Sequence, residues 1–389
     1  MTSQRTTGSG PGTAQTRADY EHRLQALGIC VSARIPVLLW GDPGAGKTAV
    51  VESAAQGGWH VETLIVSHYE PSDFAGLPVV RQDSVDLAPP SWARRLAETD
   101  GPSIAFFDEF STASPALQAA ALRPLTHYEV GALQLPDTVS FVAAANPADV
   151  AAAGWELAAP TASRFVHVDW VLPLEVYAEC MVTGAWPSMP VYDTTDPEYA
   201  AAVSAEKVLV SGFLRARGSQ LSAIPRDAAA RGRAFPTPRT WDYAARLSAL
   251  AGWVGASKAV RRLVVAGCVG EAAAHEYLAW ASVQDLPDPE TLLRDPGAFS
   301  FTGVRADRVY VVLQSVLSAV VGRPTGERWT NAVRVCAAAG EAVGLDPAVP
   351  VVRALMRPGL RPAGAPVPPE ISRFGPALAL AGLLPGRVA

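Results

Sequence analysis

No stretch of the chain approaches the roughly 20 consecutive apolar residues that a membrane-spanning helix needs. The longest candidate, "VYVVLQSVLSAVVG" at 309–322, is shorter and carries Gln314 and Ser315. The start, "MTSQRTTGSGPGTAQT", has no apolar core of a secretory leader, and its Gly, Ser and Thr content reads as a disordered tail over 1–17. A cytoplasmic protein without a membrane segment is expected. Cysteine is sparse: Cys30, Cys180, Cys268 and Cys336 form no C-x-x-C spacing, which argues for buried free thiols in a reducing compartment. The six histidines are scattered as well, so a His/Cys metal site is not expected. Lysine is rarer still, with only Lys47, Lys207 and Lys258 beside plentiful arginine, and the formal net charge of −5 gives no general pull toward nucleic acid.

What is present is a globular composition. The 389 residues are 49% hydrophobic and 18% charged, enough for a sizeable core and for two or three domains. Short apolar runs at "IPVLLW" (35–40), "HVETLIV" (60–66), "SIAFFDE" (103–109), "TVSFVAAAN" (138–146) and "RFVHVDWVL" (164–172) read as strands. Helical patterns stand between them, including "SPALQAAALRPL" at 114–125, so the expectation is an α/β fold with five parallel strands and helices on both faces. Residues 68–96 are too long for a simple connection and read as a helix interrupted by a hairpin-like insertion. Within it, "PPSWARRL" (89–96) is either an exposed loop that grips a partner or a segment whose Trp92 packs inward. After Leu172 the strand signals fade. The expected organisation is an α/β domain over 18–172, a helical domain over 173–285 and a helical extension over 286–389.

The stretch "GDPGAGKT" (41–48) fits G-x-x-x-x-G-K-[ST] and lies between a strand and a helix. Glycines at 41, 44 and 46 let the backbone curl so that its N–H groups face an anion, and the helix N-terminus behind them adds positive partial charge. Lys47 can reach terminal phosphates, and the Thr48 hydroxyl can ligate Mg²⁺. The candidate nucleotide-binding residues are therefore Gly41, Asp42, Pro43, Gly44, Ala45, Gly46, Lys47, Thr48 and Ala49.

Such a loop needs an apolar strand that ends in an acid near the metal. "IAFFDEFST" (104–112) supplies one about 60 residues after Lys47. Adjacent residues on a strand point to opposite faces, so Asp108 and Glu109 divide: Asp108 toward Mg²⁺, Glu109 toward a water attacking the γ-phosphate. Alternatively, Glu109 only solvates the strand end. No role is read for Phe110 or Ser111. Asn146 ends another apolar run; if its strand lies beside that of Asp108, its amide can orient the water, and otherwise Asn146-Pro147 is a turn opener. Arg164 is either an ordinary surface arginine or a finger presented to a neighbour's nucleotide. In "FPTPRTWDYAARL", Thr237 is an expected N-cap, Pro238 the first helical residue and Arg239 a cation in the first turn, where it opposes the helix dipole and calls for an anionic partner. Basic residues dominate from Arg215 to Arg262, a pattern open to a nucleic-acid surface, a solvated face or a subunit interface.

In this order the motifs resemble the AAA+ ATPases, and within them the MoxR-like group, through "GDPGAGKT", "HYEPSDFAGLPVV", "FFDEFSTASPALQAAAL", "VAAANP", "ASRF" and "TPRTWD", which cover roughly residues 20–285. The resemblance implies an AAA+ P-loop core followed by an all-α lid, ATP and Mg²⁺ as ligands, and assembly into a ring, usually a hexamer. It implies that Asn146 is the sensor-1 residue, Arg164 the trans arginine finger and Arg239 the sensor-2 arginine of the lid. It also implies ATP-driven, chaperone-like remodelling of a protein partner with a von Willebrand factor A domain. Two other readings remain at this point: a DNA-acting motor or loader using the Arg-rich lid, and a nucleotide-gated scaffold with negligible turnover.

Overall fold

The computed structural model describes residues 16–147, 154–357 and 359–383. The tail expected over 1–17 lies outside the described residues up to position 15. Thr16 and Arg17 already belong to an ordered helix start, because Thr16 and Asp19 form a reciprocal capping box.

In chain order, α1 (Arg17–Ser32) leads to β1 (Val37–Trp40), α2 (Lys47–Glu52) and β2 (His60–Ile65). The long connection follows as α3 (Ser72–Ala75), a hairpin of β3 (Leu77–Val80) and β4 (Val85–Ala88), and α4 (Ser91–Glu98). Next come β5 (Ser103–Asp108), α5 (Pro115–Ala120), α6 (Leu122–His127), the two-residue strands β6 (Glu129–Val130) and β7 (Leu133–Gln134), β8 (Val139–Ala145), α7 (Ala159–Ala162) and β9 (Val166–Asp169). Beyond Asp169 the described chain has no further strand. It forms α8 (Leu174–Thr183), α9 (Pro197–Ala216), α10 (Ala228–Arg231), α11 (Pro238–Trp253), α12 (Lys258–Val269), α13 (Glu271–Ser282), α14 (Pro289–Arg294), α15 (Ala306–Gly322), α16 (Gly326–Val343), α17 (Val349–Leu355) and α18 (Gly375–Leu380).

The five main strands are parallel, in the order β2-β5-β8-β1-β9. β1, β8 and the first five residues of β5 are buried along their lengths, which requires cover on both faces. Leu38, Phe107, Phe141 and Ala143 share one core with Trp92 and Leu96 of α4 and Leu117 of α5. The alternate set, including Val37, Leu39, Ile104, Phe106 and Val142, is equally buried; α1 lies against β1, β8 and β9, α2 against β8 and α12 against β9. Gly267 lets α12 approach: a Cβ there would stand 2.6 Å from the His167 carbonyl oxygen of β9.

The chain forms two compact units. One comprises the residues up to Thr194 with Ile224–Phe235 and Val254–Gly270; the other comprises Thr195–Ala223, Pro236–Trp253 and Glu271 onward. The breaks expected at 172/173 and 285/286 do not coincide with these units, because α8 and α12 belong with the sheet while α9, α11 and α13 belong with the C-terminal helices. In the second unit, Phe213, Trp241, Tyr277 and Trp280 interleave edge-to-face or tilted. A further core surrounds Trp329, whose indole donates to the Leu355 carbonyl at 2.8 Å. All four cysteines are free and buried.

The segment "PPSWARRL" is not an exposed loop. Trp92 is 1% exposed in α4, packs on Phe74 and Phe107, and donates its indole N–H to the Asp73 carbonyl. The inward-packing alternative is therefore the correct one.

Candidate functional site

β1 ends at Trp40 and the chain turns through residues 41–46 into α2. Gly44 (φ 79°) and Gly46 (φ 75°) adopt the left-handed region, which side chains resist. Two neighbours also exclude a side chain in the loop. A Cβ at Gly41 would lie 2.4 Å from the Trp170 carbonyl oxygen, and one at Gly46 would lie 2.6 Å from the ring of Trp186. The loop backbone, from Gly41 through Asp42, Pro43 and Gly44 to Ala45, borders a cavity of about 640 Å³ that Trp170, Leu172 and Tyr177 also line. Ala49 lies in the first turn of α2.

Lys47 is buried. Its ammonium donates to the carbonyls of Gly41 (2.7 Å) and Asp42 (2.9 Å) and to Asn146 Oδ1 (2.8 Å). Burial pushes its pKa down, against the opposing pull of the Asp108 and Asp42 carboxylates. Thr48 Oγ1 donates to Asp108 Oδ2 at 2.7 Å. Strand order explains this convergence. β8 lies between β1 and β5, so the ends of three adjacent parallel strands deliver the loop, Asn146 and Asp108 to one edge. Lysine has no acceptor, so the Asn146 amide turns its oxygen to Lys47 and keeps Nδ2 as the group able to donate to a phosphate or water.

The two acids divide, but not through strand alternation. β5 stops at Asp108, and Glu109 takes φ 54° and ψ 36° in the turn that follows. Its N–H donates to Asp108 Oδ1, while its exposed carboxylate accepts from Ser67 Oγ at 3.3 Å. Phe110 is wholly buried against Phe107 and Phe165, which anchors the turn. Ser111 pins the next strand: its hydroxyl donates to the Asn146 carbonyl and accepts from the Asn146 N–H. Sequence reasoning missed Ser67 and Ser111, whose partners lie 42 and 35 residues away, beyond any local pattern.

Arg164 stands just before β9, where Val166 pairs with Val37. It is therefore at the opposite edge of the sheet from Lys47, and its guanidinium donates to Thr126 Oγ1 and the Pro160 carbonyl. Arg239 lies in the first turn of α11 in the second unit, behind the Thr237 cap on the Thr240 N–H. The structure thus brings together Lys47, Thr48, Asp108, Glu109 and Asn146, and places Arg164 away from them.

Among the described residues no group of three or more His, Cys, Asp or Glu forms a cage for a metal ion. The Thr48 hydroxyl and Asp108 carboxylate are hard oxygen donors already in mutual contact, a set that suits Mg²⁺ arriving with nucleotide phosphates. No helix among the described residues is long and apolar enough to cross a membrane.

Residues 36–165, about a third of the chain, match the family described as AAA domain (dynein-related subfamily). That span holds the Gly-rich loop, Asp108, Glu109, Asn146 and Arg164. No curated protein matches the chain. Among solved structures, a candidate ATPase from Cytophaga hutchinsonii superposes with a TM-score of 0.42 at 17% identity, over 65% of this chain and 84% of that one. A RuvB variant from Thermotoga maritima does so with a TM-score of 0.25 at 12% identity, over 91% and 93%.

Proposed function

We propose, from the AAA domain carried by residues 36–165, that the chain binds and hydrolyses Mg-ATP. The observation that supports this best is the hydrogen-bonded set Lys47–Asn146 and Thr48–Asp108 at the carboxyl ends of three adjacent strands. The loop N–H groups and Lys47 would bind the phosphates. Thr48 and Asp108 would hold Mg²⁺, which supplies charge neutralisation at the phosphoryl oxygens. Glu109 accepts the proton of the attacking water, and Asn146 Nδ2 orients that water or the γ-phosphate. Arg164, on the far edge of the sheet, acts on the nucleotide of a neighbouring subunit, and Arg239 acts as the lid arginine. In the MoxR-like reading the chain works as a ring, a hexamer, that remodels a protein with a von Willebrand factor A domain. In this functional division, which cuts across the two compact units, residues 18–172 are the nucleotide domain, 173–285 the lid and 286–389 an accessory module.

A phosphate-release assay tests the core of this reading. Glu109→Gln should keep ATP affinity and lose turnover by about 10²–10⁴-fold, the range of a positioned general base. Turnover equal to the unmodified protein would remove Glu109 from the chemistry, and no release from either would favour a nucleotide-gated scaffold.

A further inference from the structure

Asp169 and Arg233 form an ion pair beside Trp40, and the mechanism above uses neither. Trp40 and Pro147 line two cavities. Asp169 borders the larger one with the Gly-rich loop, and Arg233 borders a smaller one of about 280 Å³ with Asn146. Arg233 Nη1 donates to Asp169 Oδ1 at 2.9 Å, and its guanidinium carbon lies 4.4 Å over the Trp40 ring. Register sets this meeting, since Asp169 at the end of β9 pairs with Trp40 at the end of β1. The platform is stiff: the Trp40 indole donates to His167 Nδ1 at 2.9 Å, and His167 Nε2 contacts the Ala162 carbonyl at 2.9 Å. Since Nδ1 accepts, Nε2 carries the proton, and one neutral tautomer satisfies both bonds.

Arg233 therefore has a fixed aromatic support and a replaceable anion. The pair is partly exposed, at 42% and 72%, and exposed ion pairs hold weakly. A phosphate offers the same guanidinium a more highly charged, bidentate partner. Asn146 lines the cavity that Arg233 borders and accepts from Lys47, the group aimed at terminal phosphates. We propose that Arg233 is a further phosphate-binding residue of this site. It exchanges Asp169 for the terminal phosphate of a bound nucleoside triphosphate and so makes the site prefer triphosphate to diphosphate. This rests on the nucleotide-binding reading and adds a selectivity element to it.

Equilibrium titration of the full chain with fluorescent ATP and ADP analogues, with Mg²⁺ present, tests it. Arg233→Ala should weaken ATP about tenfold and leave ADP within about twofold. Arg233→Lys should recover part of the loss, and Asp169→Asn should tighten ATP by removing the competing carboxylate. Loss of ATP and ADP in equal measure would make Arg233 a mere prop for Trp40 and overturn the proposal, as would no loss at all. If Arg233→Ala melts early, Asp169→Asn decides, because it leaves Arg233 on Trp40; weaker ATP binding there counts against the exchange. Unmodified protein that binds neither nucleotide overturns the nucleotide reading and this inference with it, whereas failure confined to the Arg233 and Asp169 variants overturns the inference alone.

Discussion

His167 shows how one buried side chain ties the site to acidity. Burial pushes its pKa down from 6.5 to about 4, and the backbone hydrogen bond to Ala162 only partly opposes this. A lowered histidine pKa means that the folded state holds the neutral ring, so its contribution is present above the unfolded pKa and is lost as pH falls toward the folded one. The unfolding free energy read from denaturant titrations should therefore be flat above pH 7.5 and fall by about 2 kcal/mol from this group between pH 7.5 and pH 5. His167→Gln keeps an acceptor for the Trp40 indole and should remove most of that slope; an unchanged slope would assign it to other groups. Glu109 carries a different cost. A non-glycine residue in the left-handed region costs about 1–2 kcal/mol, and in that conformation its carboxylate accepts from Ser67.

α4 is the element that sequence inspection left most open, and the structure makes it a wedge. Its apolar face, Trp92, Ala93 and Leu96, closes one side of the sheet, while Arg95 donates to both carboxylate oxygens of Glu62 on β2. Trp92→Ala should cost about 3–5 kcal/mol of unfolding free energy, as large aromatic truncations in cores do. Urea midpoints measure this, and a near-neutral result would mean that α4 docks without its indole. The β3–β4 hairpin ahead of it is different in kind. Val80 and Val85 are exposed there, and the hairpin is anchored where the Ala132 N–H donates to the Leu87 carbonyl. Gly131 fits under that anchor, because a Cβ on it would meet the Leu87 oxygen at 2.6 Å.

Across the molecule, Arg164 and Lys47 mark opposite edges of one sheet, so any action of Arg164 on a nucleotide has to be intermolecular. Arg164→Ala should bind ATP normally and hydrolyse it slowly, by about 10³-fold or more if it is a finger. Mixing it with Lys47→Ala should restore part of the turnover, because a mixed interface pairs an intact loop with an intact arginine. No recovery at any ratio would count against action in trans. The basic residues from Arg215 to Arg262 are divided between the two compact units. Arg217 and Arg239 belong to one compact unit and Arg233 and Arg261 to the other, and Arg217 and Arg233 are paired with Glu276 and Asp169. Salt-dependent stimulation of turnover by DNA would nevertheless restore the motor reading.

The parts readable from the linear chain are those that local patterns encode. An apolar run ending in a glycine-rich turn specifies β1, the loop and α2. A second run ending in an acid specifies β5, and the alternation of strands with helices specifies a parallel sheet. Lys47, Thr48 and Asp108 could be named because their chemistry depends on residue type at the end of such a run. Periodicity, however, reports only on neighbours in sequence. The contacts that finish the site join Ser111 to Asn146, Ser67 to Glu109, Arg233 to Asp169 and Trp40 to His167, across separations of 35, 42, 64 and 127 residues. They exist because strand order sets β8 between β5 and β1, β2 beside β5 and β9 beside β1. Strand order, register and the alternation of chain segments between the two units arise from packing the whole chain at once, and no local stretch carries them.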